Sequence, residues 1–246
     1  MNSLETIKNK CRAMGFNTIH QGLDELLRVA EESQLSYLQF VDLLLEQELQ
    51  RRRQKRITYN LSRAGFPLLK RLDEFDFSFQ TTISKKQIHA LLDFSFIDNR
   101  ENVVFIGPPG VGKTHLAIGL AVRAVEAGYK VQCVSAYELV ESLDLAEIRG
   151  QLKQRIRALQ KYDLILVDEL GFLPVVKKSA HNLFQLVNTL YEYRSVILTT
   201  NRHFTEWADF FADDAVAVPI VDRIIHHSHI FLMGGDSYRL KQKTDR

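Results

Sequence analysis

The first quarter of the chain carries apolar residues at helical spacing. Between Ser3 and about Ala64 they recur every three or four positions, and β-branched runs are almost absent. Such a period places apolar side chains on one face of a helix. The clearest stretches are Leu23, Leu26, Leu27 and Ala30, followed by Leu38, Val41, Leu44 and Leu45. The pattern predicts a small all-helical region.

A basic cluster closes this helical region. It consists of Arg51, Arg52, Arg53, Lys55 and Arg56. Gly65, Phe66 and Pro67 then interrupt the helical pattern, as Gly and Pro commonly do between elements. We place a domain boundary between residues 65 and 75. The expected division is a helical N-terminal domain over residues 1–66, which binds DNA or a partner, and a second domain over residues 67–246.

Beyond the boundary, short apolar runs alternate with longer segments of helical period. The candidate strands are Val103–Ile106, Lys130–Ser135, Leu164–Val167, Ser195–Thr199 and His229–Met233. The candidate helices begin near Lys113, Ala136, Asp144, Ser179, Thr205 and Pro219. This alternation is typical of an α/β fold, in which helices cover both faces of a parallel sheet. Ser135 and Glu138 have the spacing of a capping box at the start of the second helix.

Composition limits the class of protein. Of the 246 residues, 46% are hydrophobic and 25% are charged, which excludes wholesale disorder. The 32 basic and 30 acidic side chains nearly cancel, so attraction to nucleic acid depends on where the charges lie. Cys11 and Cys133 are too few for a disulfide framework. Because neither a membrane-spanning run nor a leader pattern is apparent, we expect a cytoplasmic protein that does not contact membranes.

The strongest chemical signal is a glycine-rich loop between the first candidate strand and the helix at Lys113. Its residues fit the phosphate-loop pattern G-x-x-x-x-G-K-[ST] and are Gly107, Pro108, Pro109, Gly110, Val111, Gly112, Lys113 and Thr114. Glycines let backbone N–H groups close around the β- and γ-phosphates of a nucleotide. Lys113 would neutralise phosphate charge, and Thr114 would offer its hydroxyl to Mg²⁺. ATP and Mg²⁺ are therefore the expected cofactors.

Two adjacent acids follow the apolar run of the third candidate strand. Leu164–Val167 leads directly into Asp168 and Glu169. A buried parallel strand delivers such side chains to the carboxyl edge of the sheet, beside the phosphate loop. We expect Asp168 to hold the Mg²⁺ shell and Glu169 to polarise the water that attacks the γ-phosphate. The alternative is an acid pair that caps the following turn.

Asn201 follows the fourth candidate strand. We expect it at the same edge of the sheet, between Glu169 and the γ-phosphate, while an Asn that forms a turn or caps a helix is the alternative. A residue that activates water favours hydrolysis over transfer to a small molecule, which would need a substrate pocket and a closing lid. The sequence therefore predicts an ATPase, with a small-molecule kinase as a rival.

Four segments together resemble a known family. They are G-P-P-G-V-G-K-T-H-L-A from Gly107, V-D-E-L-G-F-L-P from Val167, T-T-N-R-H-F-T-E-W from Thr199 and V-D-R-I-I-H-H-S-H-I from Val221. They are similar to the IstB-type transposition helpers, AAA+ ATPases of the DnaC/DnaA clade that insertion sequences encode beside a transposase. The resemblance covers essentially the whole chain. It implies a P-loop AAA+ core over residues 67–246 with a small helical N-terminal domain.

The resemblance assigns the phosphate-loop and acidic residues to named motifs. Lys113 and Thr114 match the Walker A pair, and His115 follows them within the nucleotide-binding run. Asp168 and Glu169 match the Walker B pair. By the same resemblance, Asn201 is the sensor-1 residue.

Two arginines take their expected roles from the resemblance. Arg223, in V-D-R, matches the arginine finger that reaches the ATP of a neighbouring subunit. From the residues alone, a surface arginine or one paired with Asp222 is the alternative. Arg239, in D-S-Y-R, occupies a sensor-2-like place. The few residues after Arg239 leave no room for a full helical lid, so a reduced or absent lid is expected.

Basic side chains outside the nucleotide site suggest a nucleic-acid partner. Arg149, Lys153 and Arg157 fall at intervals of four residues, which would form one stripe on a helix running from about Asp144 to Lys161. The cluster at Arg51–Arg56 and the group of Lys241, Lys243 and Arg246 form further patches. A solvated helix face is the alternative for each patch alone. Several patches on an almost neutral chain favour contacts with DNA phosphates.

Histidine and aromatic clusters are open to other interpretations. His226, His227 and His229 have no nearby cysteine and unsuitably spaced carboxylates, so we interpret them as packing or interface residues rather than zinc ligands. Phe75, Phe77 and Phe79 alternate before the core. These rings either flank adenine or pack against the edge of the sheet.

The residues and the resemblance together predict an ATP-hydrolysing, DNA-binding protein. We expect an ATP-dependent homo-oligomer that forms on DNA with little sequence preference, hydrolyses ATP in response to DNA, and helps a partner transposase select or capture target DNA. The nearest rival is a replicative helicase loader of the DnaC type. A passive DNA scaffold with a purely structural nucleotide site is a rival from another class, which the intact Glu169 disfavours.

Overall fold

A computed structural model of the chain describes residues 3–171, 176–211 and 214–244. The chain divides between Tyr59 and Asn60 into two compact parts, which we call the helical unit and the sheet unit. The assignment of domains to residues 1–66 and 67–246 stays a prediction.

The helical unit is an arrangement of helices around a small apolar core. Its elements are α1 (Leu4–Ala13), α2 (Asn17–Glu32) and α3 (Tyr37–Arg63), the last residues of which belong to the sheet unit. Ser3 caps α1 by accepting a hydrogen bond from the Thr6 N–H. The buried apolar side chains at the centre are Cys11, Ile19 and Leu23. The prediction of a helical N-terminal region is confirmed.

The sheet unit is organised around a parallel sheet. Its strands are β1 (Asn102–Ile106), β2 (Val131–Ser135), β3 (Leu164–Leu170), β4 (Ser195–Thr200) and β5 (Ser228–Leu232). Among the described residues they form one sheet in the order β2-β3-β4-β1-β5, and every neighbouring pair is parallel. All the candidate strands are therefore present. The prediction of an α/β fold is confirmed.

Helices cover both faces of this sheet. Their bounds are α4 (Lys85–Ala90), α5 (Ser95–Asp98), α6 (Lys113–Ala127), α7 (Ala136–Ile148), α8 (Leu152–Leu159), α9 (Lys177–Leu190), α10 (Trp207–Phe211), α11 (Asp214–Ile225) and α12 (Tyr238–Thr244). One buried apolar cluster packs α6 against one face, and a second packs α7, α9 and α11 against the other. Ser135 and Glu138 form the expected capping box at α7.

Two helix predictions were wrong. The helix expected from Asp144 to Lys161 is broken, because Gly150 has a left-handed backbone with a φ of 69°. Arg149 is the C-cap of α7, whereas Lys153 and Arg157 lie on α8, so the three do not form a stripe on one helix. Pro219 does not begin a helix but lies inside α11.

Smaller differences concern the ends of elements. The helix expected near Thr205 begins as a 3₁₀ turn over Phe204–Glu206 and continues as α10. Strand β3 extends beyond the apolar run and includes both acids, Asp168 and Glu169.

Among residues 3–171, 176–211 and 214–244, none of the helices has both the length and the apolar character that crossing a bilayer requires.

Candidate nucleotide-binding site

The phosphate loop connects β1 to α6 at the carboxyl edge of the sheet. Its backbone is closely packed on two sides, because a Cβ atom at Gly110 would lie 2.1 Å from Ser237 Oγ and one at Gly112 would lie 2.5 Å from the Phe75 ring. Both glycines also have positive φ, 85° and 100°. The Tyr238 N–H donates to the Gly110 carbonyl at 3.1 Å. Segments before and after the core therefore meet at this loop.

Lys113 begins α6, and its ammonium lies within the phosphate loop. Its Nζ donates to the carbonyl oxygens of Gly107 at 2.7 Å and Pro108 at 2.8 Å. Burial lowers the pKa of Lys113, and Arg239 acts in the same direction, while the carboxylates of Asp168 and Glu169 oppose the shift. A half-buried ammonium with these neighbours is suited to an anionic ligand.

Thr114 and Asp168, the residues predicted to bind the metal, are brought together. Thr114 Oγ1 donates to Asp168 Oδ1 at 2.9 Å, and Thr199 Oγ1 donates to the same oxygen at 2.5 Å. A hydroxyl and a carboxylate are hard oxygen donors of the kind that Mg²⁺ takes, usually with several waters retained. The donor set at this position therefore fits Mg²⁺.

Glu169 and Asn201 lie beside the phosphate loop. Both are exposed and line one cleft of about 570 Å³ together with the loop residues Pro109–His115. This volume lies within the usual range for small-molecule sites, about 300–1,000 Å³. Arg239 and Tyr238, at the start of α12, line the same cleft. The phosphate loop, Glu169, Asn201 and Arg239 therefore line one space.

His115 and two of the aromatic residues before the core line the cleft. His115 Nε2 lies 2.8 Å from the Arg71 carbonyl oxygen, and its ring is 5.4 Å from that of Phe75. Phe75 and Phe79 line the cleft, while Phe75 and Phe77 also pack against the apolar core. Phe79 contacts Tyr238 at a ring distance of 5.3 Å. The positions of Phe75 and Phe79 therefore fit rings that flank adenine, and those of Phe75 and Phe77 fit rings that pack against the core.

Arg223 lies elsewhere on the sheet unit. It is half-buried on α11, where its Nε donates to Asn188 Oδ1 at 3.1 Å and its NH1 to the Pro219 carbonyl at 3.0 Å. Its guanidinium also lies 5.4 Å from the centre of the Phe184 ring. Among the described residues that line the nucleotide cleft, Arg223 is absent. Its action on a neighbouring subunit stays a prediction.

The basic patches differ in how far their side chains are engaged. Arg51 donates to Gln21 Oε1 at 2.8 Å, and Arg52 is bound to Glu48 at 2.8 Å and to the Gly15 carbonyl at 3.1 Å. The other basic side chains of the two main patches are exposed; they are Arg53, Lys55, Arg56, Arg149, Lys153 and Arg157.

The structure describes only part of the third basic group, which consists of Lys241, Lys243 and Arg246. Lys241 lies over the Phe79 ring at 4.7 Å. Arg246 and the F-L-P residues 172–174 of the second quoted motif fall outside the described residues, and the structure describes only the backbone of Lys243.

Sequence reasoning missed Thr199 as a site residue. It lies within the quoted T-T-N run, but no role was assigned to it. Thr199 is buried in the structure, and its hydroxyl accepts from the Glu169 N–H and donates to the Asp168 carboxylate. A polar β-branched residue at the end of an apolar strand, two residues before Asn201, was the signal available in the sequence.

Comparison with known proteins identifies the family. Residues 9–246 match the model of the IstB-like ATP binding proteins. The chain belongs to this family. A relative from insertion sequence IS21 of Pseudomonas aeruginosa, named as an ATP-binding protein, is 37% identical over 99% of this chain and 91% of its own length. Another from IS5376 of Geobacillus stearothermophilus is 36% identical over 97% of this chain and 95% of its own.

Solved structures show how the IstB-like fold is related to others. The DnaC helicase loader superposes with a TM-score of 0.53 and 19% identity, over 60% of this chain and 86% of that one. At this identity the likeness concerns the fold alone. The expected P-loop AAA+ fold is confirmed, and the IstB-like chain is an ATP-binding protein of the kind that insertion sequences carry.

Proposed function

We propose that this IstB-like protein hydrolyses ATP, assembles on DNA in its ATP-bound form, and helps the transposase of its insertion sequence capture target DNA. The observation that carries the proposal is the exposed Glu169 carboxylate beside the phosphate loop, next to an Asp168 that is bound to Thr114. A purely structural nucleotide site would not need an acid free to accept a proton from water.

The chain's own residues divide the work of hydrolysis. Lys113 binds the phosphates, and Thr114 and Asp168 would hold Mg²⁺, which neutralises charge on the phosphate oxygens. Glu169 accepts the proton of the attacking water, and Asn201 orients that water from the neighbouring strand. Arg239, which lines the same cleft, contributes positive charge there. Lys113, Thr114, Glu169, Asn201 and Arg239 all line this cleft, and Asp168 is bound to Thr114 beside it.

Assembly and DNA binding rest on surface features. Arg223 lies outside its own cleft and is half-buried at the surface of α11, a position that suits contact with the nucleotide of a second copy. Exposed basic side chains on α3 and α8 suit the phosphates of DNA, which bind with little dependence on sequence. The relatives' names place them in insertion sequences, which supports a transposase as the partner.

The proposal is tested by ATP turnover with and without double-stranded DNA. We expect DNA to raise the rate of the unaltered chain. Glu169→Gln should lower turnover by about 10²–10⁴-fold, the usual contribution of a general base, yet bind ATP and remain on DNA. Lys113→Ala should lose ATP binding and assembly together, because the main countercharge to the phosphates is removed. Equal loss of ATP binding in both variants would contradict this division of roles.

The identity of the partner needs a separate measurement. The Glu169→Gln chain, held on DNA with ATP, should retain the transposase encoded by the same insertion sequence. Lys113→Ala serves as the matched control, since it should retain neither DNA nor the transposase. Retention of a replicative helicase instead would favour the rival function of a helicase loader.

A further inference from the structure

The strands β3 and β4 lose their regular register at the two Walker B acids. Val167 pairs with Leu198, but the next pair is Leu170 with Thr200, so β3 has one residue more than β4 across this interval. Such an extra residue is a β-bulge, which locally redirects side chains. Within the bulge, Glu169 has a φ of 61°, a left-handed conformation that is uncommon for residues other than glycine.

Thr199 lies opposite the bulge, and its hydroxyl bonds to the backbone N–H of Glu169 and to the carboxylate of Asp168. The Glu169 N–H donates to Thr199 Oγ1 at 2.9 Å, and Thr199 Oγ1 donates to Asp168 Oδ1 at 2.5 Å. Thr199 is only 1% exposed, so no bulk water competes for these bonds. A hydroxyl has one hydrogen to donate and can accept as well, and this one does both. One side chain therefore fixes the backbone of Glu169 and the carboxylate of Asp168.

We propose that Thr199 is a positioning residue for ATP hydrolysis. Its hydroxyl holds the bulge in the conformation that exposes Glu169 in the cleft, and it holds Asp168 against Thr114 at the start of α6. This inference rests on the proposed hydrolysis and goes beyond it, because Thr199 is not among the residues that contact water or phosphate in that mechanism.

Loss of the hydroxyl should affect turnover more than nucleotide binding. Without it, the Glu169 N–H loses its acceptor, and the left-handed backbone loses a hydrogen bond that stabilises it. The Glu169 carboxylate then leaves the position from which it activates water. The phosphate loop and Lys113 do not depend on Thr199 for their own hydrogen bonds. ATP affinity should therefore change little.

The experiment compares Thr199→Val with Thr199→Ser. Valine keeps the shape of threonine and removes the hydroxyl, while serine keeps the hydroxyl and removes the methyl group. Ser195→Ala is the matched control, because Ser195 is fully buried on the same strand and donates to the Phe96 carbonyl at 3.1 Å, at the end of β4 remote from the acids. The Ser195→Ala replacement removes a buried hydrogen bond of β4 at a residue that is not among those that line the cleft.

Three quantities are measured for each full-length chain: kcat for ATP with DNA present, the affinity for a fluorescent ATP analogue with Mg²⁺, and hydrogen exchange of the Glu169 amide. We expect Thr199→Val to lower kcat by about tenfold to a hundredfold, part of a general base's usual contribution. Its nucleotide affinity should stay within about threefold, and its Glu169 amide should exchange faster. Thr199→Ser should stay near the unaltered chain in all three.

The outcomes separate this inference from the function on which it rests. An unaltered chain that hydrolyses no ATP overturns both. An active chain with undiminished kcat in Thr199→Val overturns the inference alone, as does a Thr199→Ser or Ser195→Ala chain that loses as much turnover as Thr199→Val. If Thr199→Val does not fold, Thr199→Cys replaces it, since a thiol is a weaker donor and acceptor, and an intermediate loss of kcat is then expected.

Discussion

The two units of this chain gather their polar residues in different ways. In the sheet unit, the carboxyl ends of β1, β3 and β4 meet at one edge, so residues far apart in sequence line one cleft. In the helical unit, the basic residues follow one another along α3, and no sheet edge collects them. In a parallel sheet, the spacing of motifs along the chain therefore predicts where their residues lie. A run of basic residues on a helix does not predict what that run binds.

Glu48 in the helical unit illustrates this difference. Its side chain is buried, and it accepts hydrogen bonds from Arg52 Nε at 2.8 Å and from the Thr18 N–H at 2.9 Å. Burial alone would raise the pKa of Glu48, but the bonds from Arg52 and Thr18 hold it below its ordinary value. Arg52 thus stabilises a buried carboxylate. One member of a cluster predicted to bind DNA has a structural role in the fold.

The first prediction tests whether the nucleotide chemistry of the sheet unit is completed by a second copy. Arg223→Ala should lower ATP turnover by about 10³-fold or more, because an arginine finger neutralises charge that develops on the transferred phosphoryl group. ATP binding by the variant's own cleft should persist, since Arg223 does not line it. Turnover and nucleotide affinity are measured on the same preparations.

A mixture with Glu169→Gln decides whether Arg223 acts between subunits. The finger of a Glu169→Gln chain can meet the nucleotide of an Arg223→Ala chain, which keeps its own Glu169, and so restore a complete site. Mixed assemblies should then turn over ATP faster than either variant alone. If assemblies shown to contain both chains have no higher rate, Arg223 acts within its own chain or only packs against Asn188 and Phe184.

The sequence predicted the positions of those site residues that lie at the ends of strands. Asp168, Glu169 and Asn201 follow apolar runs, and the order of alternating strands and helices puts such residues at one edge. It did not predict the bulge at Glu169 or the role of Thr199, because both depend on the register between two strands. The break at Gly150 was missed for another reason: a glycine tolerated in a helix and one that ends a helix look alike in an apolar pattern.

The second prediction compares the basic surfaces of the two units. Replacing Arg53, Lys55 and Arg56 on α3 by alanine should reduce the slope of log affinity for DNA against log salt, by about 0.7–0.9 for each DNA phosphate that is no longer neutralised. Lys153→Ala with Arg157→Ala on α8 makes the same test of the sheet unit. We expect both sets to flatten the slope, since all five side chains are exposed. DNA affinity is measured at several salt concentrations with ATP present.

Lys85 and Lys86 provide the control for this comparison. Both are exposed on α4, outside the patches assigned to DNA, so their replacement by alanine should leave the slope unchanged. A flattened slope for only one of the two sets would assign DNA binding to one unit. An unchanged slope for both, in chains that remain folded, would show that the patches are merely solvated.

The third prediction, with the smallest effect on function, uses the two cysteines as reporters of the two units. Cys11 belongs to the small core of the helical unit, and Cys133 lies in β2 of the sheet unit. Burial, assisted by the carboxylates of Asp168 and Glu138, raises the pKa of Cys133 to about 12. Because the thiolate is the reacting form, Cys133 should react with iodoacetamide at pH 8 at least about a hundredfold more slowly than a free thiol.

Cys11 should be alkylated at a lower urea concentration than Cys133. Exposure of Cys11 requires only the helical unit to open, and the described buried core of that unit is small, whereas exposure of Cys133 requires opening of the large core around the sheet. Peptide mass spectrometry follows both sites in one sample, and the chain in concentrated urea gives the rate at which each thiol reacts once exposed. If Cys133 reacts at the same urea concentration as Cys11, the two units open together. The difference in core size would then not produce a difference in stability between them.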